Sequence, residues 1–506
     1  MSTDLNKAIS RPLCVAQALI GKPIDRADVY ARRVVLTGER DTLLTQNGRW
    51  CFMDALRLLS RVAGDLTIVL PAECDELRQE VERFCAVAWS PGTLKIAADV
   101  HALTMQHADA VLNVGAQARP SCAWTSINCE GWLARVTSGP RSLPPGCGQP
   151  NPMSALMAAS LGVTEVFKRL FGIPADVAPF LDCVEFSLYE LSTTPTSIGP
   201  ALPGQIYLPN TLIPGAGAIG NGLGLLLSQL PLQGRVHIVD KQDYADENLG
   251  TCVLLPKSGW VGHAKAERLA LWLEQNSQLA VTGEKALIAD AIDAGRQLSR
   301  LSVDLVLNGL DDVQARCDTQ RLWPSTVIDG GINEVGAAVT QHRLERDDQA
   351  CLICWFEPER VDERVRQRQW TGLHLDSLAG ADRQLTDEDI ERADVEMQAW
   401  LRDCQRRRQP RCSVISEARL RSRLGVEVEE GFRPSVPFVA TACAALVMAE
   451  AIKALLFPLA RSAALFQIGN LFLGPDANLL VNRARSAHCM CSVHRQLIKR
   501  LRGIPD

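Results

Sequence analysis

A glycine-rich stretch in the second half of the chain has residue types suited to holding phosphate. After an apolar run that ends at Ile213, Gly215, Gly217 and Gly220 occur in the spacing G-x-G-x-x-G. Glycines at a strand-to-helix turn let the backbone approach a polyphosphate, and the next helix presents free N–H groups to it. Asp240 ends the following apolar run, 20 residues after Gly220, where a carboxylate can hold ribose hydroxyls. These residues predict a nucleotide site.

Two further interpretations of this stretch stay open. Glycines at a tight turn can simply let a helix pack on a sheet, with Asp240 an ordinary residue at a strand end. The fingerprint also serves both dinucleotide oxidoreductases and ATP-using enzymes. Adenylyl transfer needs a cation for the phosphates and a carboxylate after a strand for magnesium. The downstream residues that bear on this choice are Asp243, Asn248, Lys265, Asp311 and Arg316.

The chain also matches itself in four short segments that occur in the same order. The offsets between the matched segments grow from 170 to 195, 205 and 285 residues, which predicts two copies of one unit with the second enlarged by insertions. The largest insertion falls between Gly336 and Pro437. The matched segments are 64–69 with 234–239, 111–113 with 306–308, 127–128 with 332–333, and Pro152 with Pro437.

Each copy has the pattern of an α/β fold. Short apolar runs at 66–70 and 236–239 are typical of buried parallel strands, and a helix is predicted from Asn151-Pro152 to Gly172. We expect two Rossmann-like halves, 1–200 and 201–506, with a crossover and catalytic-cysteine insertion at 342–434. In the first half Leu70 takes the place of Asp240, and Asn47-Gly48-Arg49-Trp50 that of the glycine loop. Only the second half is therefore expected to bind nucleotide.

Two close pairs of cysteines are candidates for a metal site. Thiolates from both pairs can form a tetrahedral zinc site that joins the C-terminal tail to the second half. Because the second pair is C-x-C, His488 or His494 can replace one ligand, and two independent buried pairs remain the alternative. The cysteines are Cys351, Cys354, Cys489 and Cys491.

A third cysteine has the sequence context of a nucleophile. Cys412 follows a run of arginines at 406–408 and 411, and nearby cations raise the thiolate fraction of a cysteine. A helix predicted to begin at Thr386 precedes this run. The alternatives are that the arginines form a solvated loop, that Cys404 is the reactive thiol, or that Cys412 is a small apolar residue of the interior.

Composition excludes several classes of function. The net charge of −5 with 22% charged residues disfavours a nucleic-acid partner, and the 17 cysteines in a chain without an apolar leader favour the reducing cytoplasm. The apolar run 436–457 carries Glu450 and Lys453, so it is interpreted as a buried helix and no membrane is expected as a partner.

These motifs resemble those of the ubiquitin-activating enzymes and the bacterial ThiF- and MoeB-type adenylyltransferases. In that family the glycine loop, the ribose aspartate, an Asn-Leu pair, a lysine and an aspartate before an arginine bind ATP and Mg²⁺. A chain with one inactive and one active half resembles the eukaryotic enzymes, whose halves form a pseudo-dimer. The residues that correspond here are Gly215, Gly217, Gly220, Asp240, Asn248, Lys265, Asp311 and Arg316.

The chain departs from this family in one respect. The family has an arginine shortly after the Asn-Leu pair, and this chain has Gly250-Thr251 there. Family members also use an arginine near the start of the partner half, in a motif that Tyr30-Ala-Arg32-Arg33 resembles. Arg33 is therefore expected to reach the nucleotide from the first half, although an exposed pair of arginines in a linker fits the sequence equally well.

The resemblance implies a reaction and partners. It implies that the second half adenylates a ubiquitin-like protein ending in glycine with Mg-ATP, and that Cys412 then forms a thioester for transfer to a separate conjugating enzyme. The architecture looks like the activating component of bacterial ubiquitin-like conjugation operons of the Bil type, some of them antiphage systems. A sulfur-carrier adenylyltransferase, a NAD-dependent oxidoreductase and a catalytically dead scaffold are the alternatives.

Overall fold

The computed structural model describes most of the 506 residues. The described residues are 5–97, 107–119, 122–146, 148–293, 303–346, 349–356, 364, 367–368, 370–378, 383–424, 435–458, 460, 465–476 and 478–504. Side chains at 419–424 are outside this description.

The first half is an α/β unit that ends in an antiparallel strand. Its elements in chain order are α1 (Leu5–Ile20), α2 (Arg26–Ala31), β1 (Arg33–Gly38), α3 (Arg40–Leu43), α4 (Gln46–Val62), β2 (Asp65–Val69), α5 (Asp75–Val87), β3 (Thr93–Ala97), β4 (Ala110–Val114), β5 (Trp124–Glu130), β6 (Leu133–Thr137), α6 (Pro152–Phe171) and β7 (Val184–Ser187).

The second half repeats this unit with additional helices. Its elements are β8 (Ile206–Pro214), α7 (Ala218–Gln229), β9 (Leu232–Val239), α8 (Lys265–Asn276), β10 (Ala280–Glu284), α9 (Ile288–Asp293), β11 (Leu305–Asn308), α10 (Val313–Thr319), β12 (Thr326–Ile332), β13 (Ala337–Arg343), α11 (Leu352–Phe356), α12 (Asp387–Glu391), α13 (Val395–Arg406), α14 (Arg411–Leu424), α15 (Pro437–Leu456), β14 (Leu465–Ile468), β15 (Asn478–Val481), α16 (Met490–Val493) and α17 (Arg495–Leu501).

Among the described residues, the first sheet has seven strands and the second has eight, and the strand order is the same over the first seven. In the first half it is β3-β2-β1-β4-β5-β6-β7, and in the second β10-β9-β8-β11-β12-β13-β14-β15. The first five strands of each sheet run parallel and the later strands antiparallel. A parallel sheet buried on both faces needs aliphatic strands, which both halves provide. The prediction of two parallel-dominated α/β halves is confirmed.

The strand register corrects one of the four sequence matches. Asn113 lies opposite Ser126 in the first sheet, and Asn308 lies opposite Asp329 in the second. Ser126 therefore corresponds to Asp329, so the match of 127–128 with 332–333 is wrong by two residues. The right strands were paired, but the short Ile-Asn motif does not mark equivalent positions within them.

Two long helices at the centre hold the halves together. The sequence prediction for the first is confirmed: the Asn151 side chain accepts a hydrogen bond from the Met153 N–H, and Gly172 ends α6 at φ 64°. The α6 and α15 helices pack together, and Ser160 Oγ lies 2.8 Å from Thr441 Oγ1 across them. One hydrophobic core is continuous through both halves.

The apolar helix α15 is the interior helix that the sequence predicted. It is long and apolar enough to cross a membrane, but 83% of its most apolar window is buried inside the protein. Glu450 and Lys453 form an ion pair 2.5 Å long, and Lys453 also donates to the carbonyl oxygens of Leu188 and Tyr189 in the first half. The equivalent pair in α6 is Glu165 and Lys168, also at 2.5 Å.

The insertion between β13 and α15 has a small core of its own. In the first half 14 residues separate β6 from α6, whereas 93 separate β13 from α15. Thr386 caps α12 and forms a reciprocal capping box with Asp389, as the sequence suggested. The predicted single helix is divided into α12 and α13 by a break at 392–394. Residues Leu373, Leu385, Ile390, Leu401 and Val414 are among those that pack together here.

Candidate nucleotide and cysteine sites

The glycine turn lies between β8 and α7, where the backbone needs glycine at two positions. Gly215 has φ 95°, in the left-handed region. A Cβ at Gly220 would lie 2.2 Å from the carbonyl oxygen of Gly215, so a side chain there would push the helix off the turn. A Cβ at Gly217 would meet no atom within 4 Å, and no side chain caps α7. The N-terminus of α7 therefore faces open space with its first N–H groups uncapped, which suits a phosphate.

Asp240 follows β9 and is bonded to the glycine turn. One carboxylate oxygen accepts the N–H of Ala216 at 2.7 Å and the other accepts the N–H of Gln242 at 2.8 Å. Gln242 in turn accepts a hydrogen bond from Lys265 Nζ at 2.8 Å. The structure thus brings together the turn, the predicted ribose carboxylate and the predicted phosphate-binding lysine.

Two residues of this site were missed by the sequence analysis. The Asn221 amide donates to the carbonyl oxygens of Ala216 and Gly217 and to the Tyr244 hydroxyl at 3.0 Å. The Tyr244 hydroxyl donates to the carbonyl oxygen of Ala216 at 3.1 Å, and the side chain is 1% exposed. Their positions, directly after Gly220 and four residues after Asp240, were the available signal. Both fix the shape of the turn.

Asn248 lies in a loop that contacts the first half. Its side-chain oxygen accepts the N–H of Ala245, so the side chain closes a short helical turn at 246–248. A Cβ at Gly250 would lie 2.2 Å from the carbonyl oxygen of Ala8, because α1 of the first half packs directly on this loop. This packing explains why a long arginine does not follow the Asn-Leu pair. Burial raises the pKa of the Cys252 thiol in the same loop, and the nearby positive charges of Lys265 and of Arg11 on α1 oppose that rise.

Asp311 and Arg316 follow β11 but have different surroundings. Asp311 is exposed at the carboxyl end of the strand. Arg316 donates to the carbonyl oxygens of Leu310 and Gly330 and to the Asp329 carboxylate at 2.9 Å. Burial raises the pKa of Asp329 to about 6, and the Arg316 charge opposes this rise. Arg316 thus fastens the Asp311 loop to β12.

No contact between Arg33 and the glycine turn is recorded among the described residues. Arg33 begins β1, its side chain is exposed, and its backbone N–H donates to the Asp109 carboxylate. Because Arg33 was expected to reach across from the first half, its place at the amino end of β1 does not test that expectation, which stays a prediction. The Tyr-x-Arg pattern is local and does not determine which strand end it reaches.

The first half has closed the equivalent space. Its turn begins at Gly38, which corresponds to Gly215 by strand register, and α3 follows this turn. The segment 47–50 was expected in place of the glycine loop, but it lies at the start of α4. The Glu39 carboxylate accepts hydrogen bonds from the Gln117 N–H at 2.7 Å and the Asn113 amide at 3.3 Å. At the matching position of the second half, Asn308 Nδ2 is buried without a hydrogen-bond partner among the described residues.

Four buried cysteines form one cluster in the second half. The Cys351 and Cys489 sulfurs are 3.6 Å apart, those of Cys354 and Cys491 are 3.4 Å apart, and all four lie within 4.8 Å of one another. Zn–S bonds of about 2.3 Å in a tetrahedron place sulfurs about 3.8 Å apart, so the set fits zinc. Hydrogen bonds from Cys351 and Cys354 lower the pKa of the Cys491 thiol well below its ordinary value. The predicted cysteines are therefore together, and His488 and His494 are exposed outside the cluster.

The arginine run near Cys412 binds carboxylates instead of the thiol. Cys412 is half-buried in the first turn of α14. Three of the four arginines of the run pair with carboxylates, and no contact between the run and the Cys412 thiol is recorded among the described residues. Arg406 pairs with Asp403, Arg407 pairs with Asp403 and Glu417 and lies 3.4 Å from Cys404 Sγ, and Arg411 pairs with Asp389. Cys404 is fully buried.

Comparison with known proteins gives limited similarity. No family model matches the chain. It is 28% identical over 249 residues to an uncharacterized protein, y4jF, of Sinorhizobium fredii (strain NBRC 101917 / NGR234), and the match spans 48% of this chain and 46% of that protein. The chain thus spans about half the length of this curated relative.

Solved structures of E. coli MccB are also similar at a low level. The MccB structure with ATP shares 16% identity at a TM-score of 0.35 over 56% of this chain and 67% of that one. The structure with AMPCPP and MccA shares 17% identity at a TM-score of 0.35 over 56% and 66%. At this identity and TM-score the similarity carries no argument about function. The functional proposal therefore rests on the residues of the chain's own site.

Proposed function

We propose that the second half binds Mg-ATP and adenylates the C-terminal carboxylate of a small ubiquitin-like protein that ends in glycine. One observation carries the nucleotide part of the proposal: the two halves share one topology, but the turn is open at Gly217 in the second and filled by Glu39 in the first. Because one turn is open and the other is closed, the duplicated fold has space for phosphate in the second half alone. The ubiquitin-like substrate is proposed from the resemblance of the motifs.

The site residues have distinct roles in this proposal. The glycine turn and the N-terminus of α7 hold the phosphates, Asp240 holds the turn and the ribose, and Asp311 holds magnesium at the end of β11. Lys265 supplies positive charge next to Gln242. Arg316 acts as a positioning residue for Asp311, because its guanidinium is committed to Asp329 and two carbonyl oxygens.

Arg11 is the cation we propose in place of the arginine that the family has after its Asn-Leu pair. It lies on α1 between Ala8 and Pro12, both of which are next to Gly250. Like Arg33, for which the resemblance implied such a role, Arg11 belongs to the first half. It differs in lying on α1, the helix that packs on the loop at Gly250. A cation here neutralises charge that develops on the leaving pyrophosphate.

The chemistry proceeds in two balanced steps. A carboxylate oxygen of the ubiquitin-like protein attacks the α-phosphorus, the bond to the β-phosphate oxygen breaks, and pyrophosphate leaves. The Cys412 thiolate then attacks the acyl carbon and AMP leaves, which gives a thioester for transfer to a separate conjugating enzyme. When bound, zinc joins the C-terminal tail to α11.

Non-reducing gels test this function. The full chain is incubated with Mg-ATP and candidate ubiquitin-like proteins that end in glycine, using wild type, Cys412→Ala and Cys404→Ala. We expect a thiol-sensitive adduct that is lost only with Cys412→Ala. An adduct that is lost only with Cys404→Ala would identify Cys404 as the nucleophile in place of Cys412. Pyrophosphate release without any adduct would favour a sulfur-carrier adenylyltransferase. No pyrophosphate release with any candidate contradicts the proposal.

A further inference from the structure

A buried arginine of the first half binds the backbone of the second half. Arg61 lies near the end of α4 and is 1% exposed. Its guanidinium donates to the carbonyl oxygens of Leu249 at 3.1 Å, Val253 at 3.1 Å and Leu255 at 2.7 Å. Burying a guanidinium costs free energy unless its N–H groups find acceptors, and here all three recorded acceptors belong to one loop of the other half.

We call residues 248–257 the bridging loop, because the first half holds it along its length. Besides Arg61, α1 packs on Gly250. Pro256 pairs with Ala88 in an isolated bridge, and the Lys257 N–H donates to the carbonyl oxygen of Val87 at 2.9 Å. The conformation of this loop therefore depends on the first half.

The bridging loop is also in contact with the glycine turn. Leu249 and Cys252 of the loop pack in one apolar cluster with Tyr244. The Tyr244 hydroxyl donates to the carbonyl oxygen of Ala216 inside the turn. A continuous series of contacts thus runs from Arg61 through the loop and Tyr244 to the phosphate-binding backbone.

We propose that Arg61 is a positioning residue through which the first half sets the ATP affinity of the second. The inference rests on the proposed function, because it concerns the same nucleotide site. It gives the nucleotide-free half a role in binding: the half fixes the bridging loop, and the loop fixes Tyr244 against the turn. A planar fork of donors suits three carbonyl oxygens at once, whereas a lysine offers a single nitrogen.

The chain offers a matched control on the same helix. Arg57 lies one turn before Arg61, and its guanidinium is 5.0 Å from the Phe84 ring centre and close to Asp54 and Glu80. These partners all belong to the first half. Arg57→Lys therefore changes a buried arginine of α4 without changing any recorded contact with the bridging loop.

The experiment measures Mg-ATP affinity and amide hydrogen exchange for the full chain. Arg61→Lys loses donors to the three carbonyl oxygens, so we expect the Kd for Mg-ATP to rise about ten-fold and exchange to accelerate within 249–257. Arg57→Lys should bind within two-fold of wild type. Unchanged exchange or unchanged affinity in Arg61→Lys overturns the inference and leaves the proposed function standing. A wild type that does not bind Mg-ATP overturns the proposed function instead.

A second variant keeps the inference testable if Arg61→Lys does not fold. Tyr244→Phe removes one hydroxyl and leaves the contact between the halves intact. We expect weaker Mg-ATP binding with normal exchange in the bridging loop, because only the last contact in the series is lost. Wild-type affinity in Tyr244→Phe overturns the proposed route.

Discussion

The Asp240 carboxylate accepts a hydrogen bond from the backbone N–H of Ala216 at 2.7 Å, so the acid at the end of β9 holds the glycine turn after β8. Its other oxygen accepts the N–H of Gln242. Asp240 thereby has a structural task before any ribose arrives. The site is organised by bonds between neighbouring strand ends, and each bond can be tested.

Replacing Asp240 with asparagine should weaken nucleotide binding. The asparagine oxygen can accept only one of the two backbone hydrogen bonds, and its NH2 group faces the other backbone N–H. The bond that remains loses the carboxylate charge, and charge-assisted hydrogen bonds are about twice as strong as neutral ones. We expect the Kd for Mg-ATP to rise at least about ten-fold, measured by calorimetry. Asp182→Asn is the control, because Asp182 pairs with Arg141 at the surface of the first half and the variant should bind as wild type. Equal losses in both variants would show that the effect is not specific to the turn.

The cysteine cluster should hold one zinc ion per chain. Metal analysis of the purified protein should give that ratio, and Cys351→Ser or Cys491→Ser should remove the zinc and lower the thermal midpoint, because zinc ties the tail to α11. Cys412→Ser serves as the control and should keep the metal. A wild type that contains no metal and whose four cysteines react as free thiols contradicts this prediction.

The buried pair in α15 should be costly to break from one side. Burial raises the pKa of Glu450 and the Lys453 charge opposes that rise, so removing Lys453 leaves an uncompensated acid. Lys453→Met should lower the free energy of unfolding by about 3–5 kcal/mol, and the double variant with Glu450→Gln should regain most of it. Chemical denaturation measures both. Lys168→Met in α6 should lower the free energy of unfolding by a similar amount. If the effects of Lys453→Met and Glu450→Gln simply add in the double variant, the two side chains are not coupled and the prediction is wrong.

Stability should depend on pH through Asp54. This acid is buried between the halves, where it accepts a hydrogen bond from Gln229, and burial raises its pKa to about 7. The folded protein therefore binds a proton that the unfolded chain releases near pH 4, so stability falls as pH rises from about 4 to about 7. Relative to wild type, Asp54→Asn should therefore raise the melting temperature more at pH 8 than at pH 5. A difference in melting temperature that is the same at both pH values contradicts this.

The local chemistry of the site was predictable from sequence, whereas contacts across the halves were not. Gly215, Asp240 and Lys265 follow strands in a regular order, so their meeting follows from a parallel sheet. The four cysteines could be paired because two close spacings imply two ligand pairs. Arg61 had no signal, since a lone arginine in an amphipathic helix looks like any surface residue. The expected role of Arg33 stays a prediction, because its motif does not specify which strand end it reaches.

Binding of Mg-ATP to Gly217→Asp tests the central claim most directly. A side chain at Gly217 meets no neighbouring atom and its φ of −76° is ordinary, so the variant should fold, but its carboxylate would repel phosphate at the start of α7. Gly204→Asp, also in open space, is the control. The account predicts that wild type and Gly204→Asp bind Mg-ATP in preference to NAD and that Gly217→Asp does not. Equal binding by all three proteins, or preference for NAD, would contradict it.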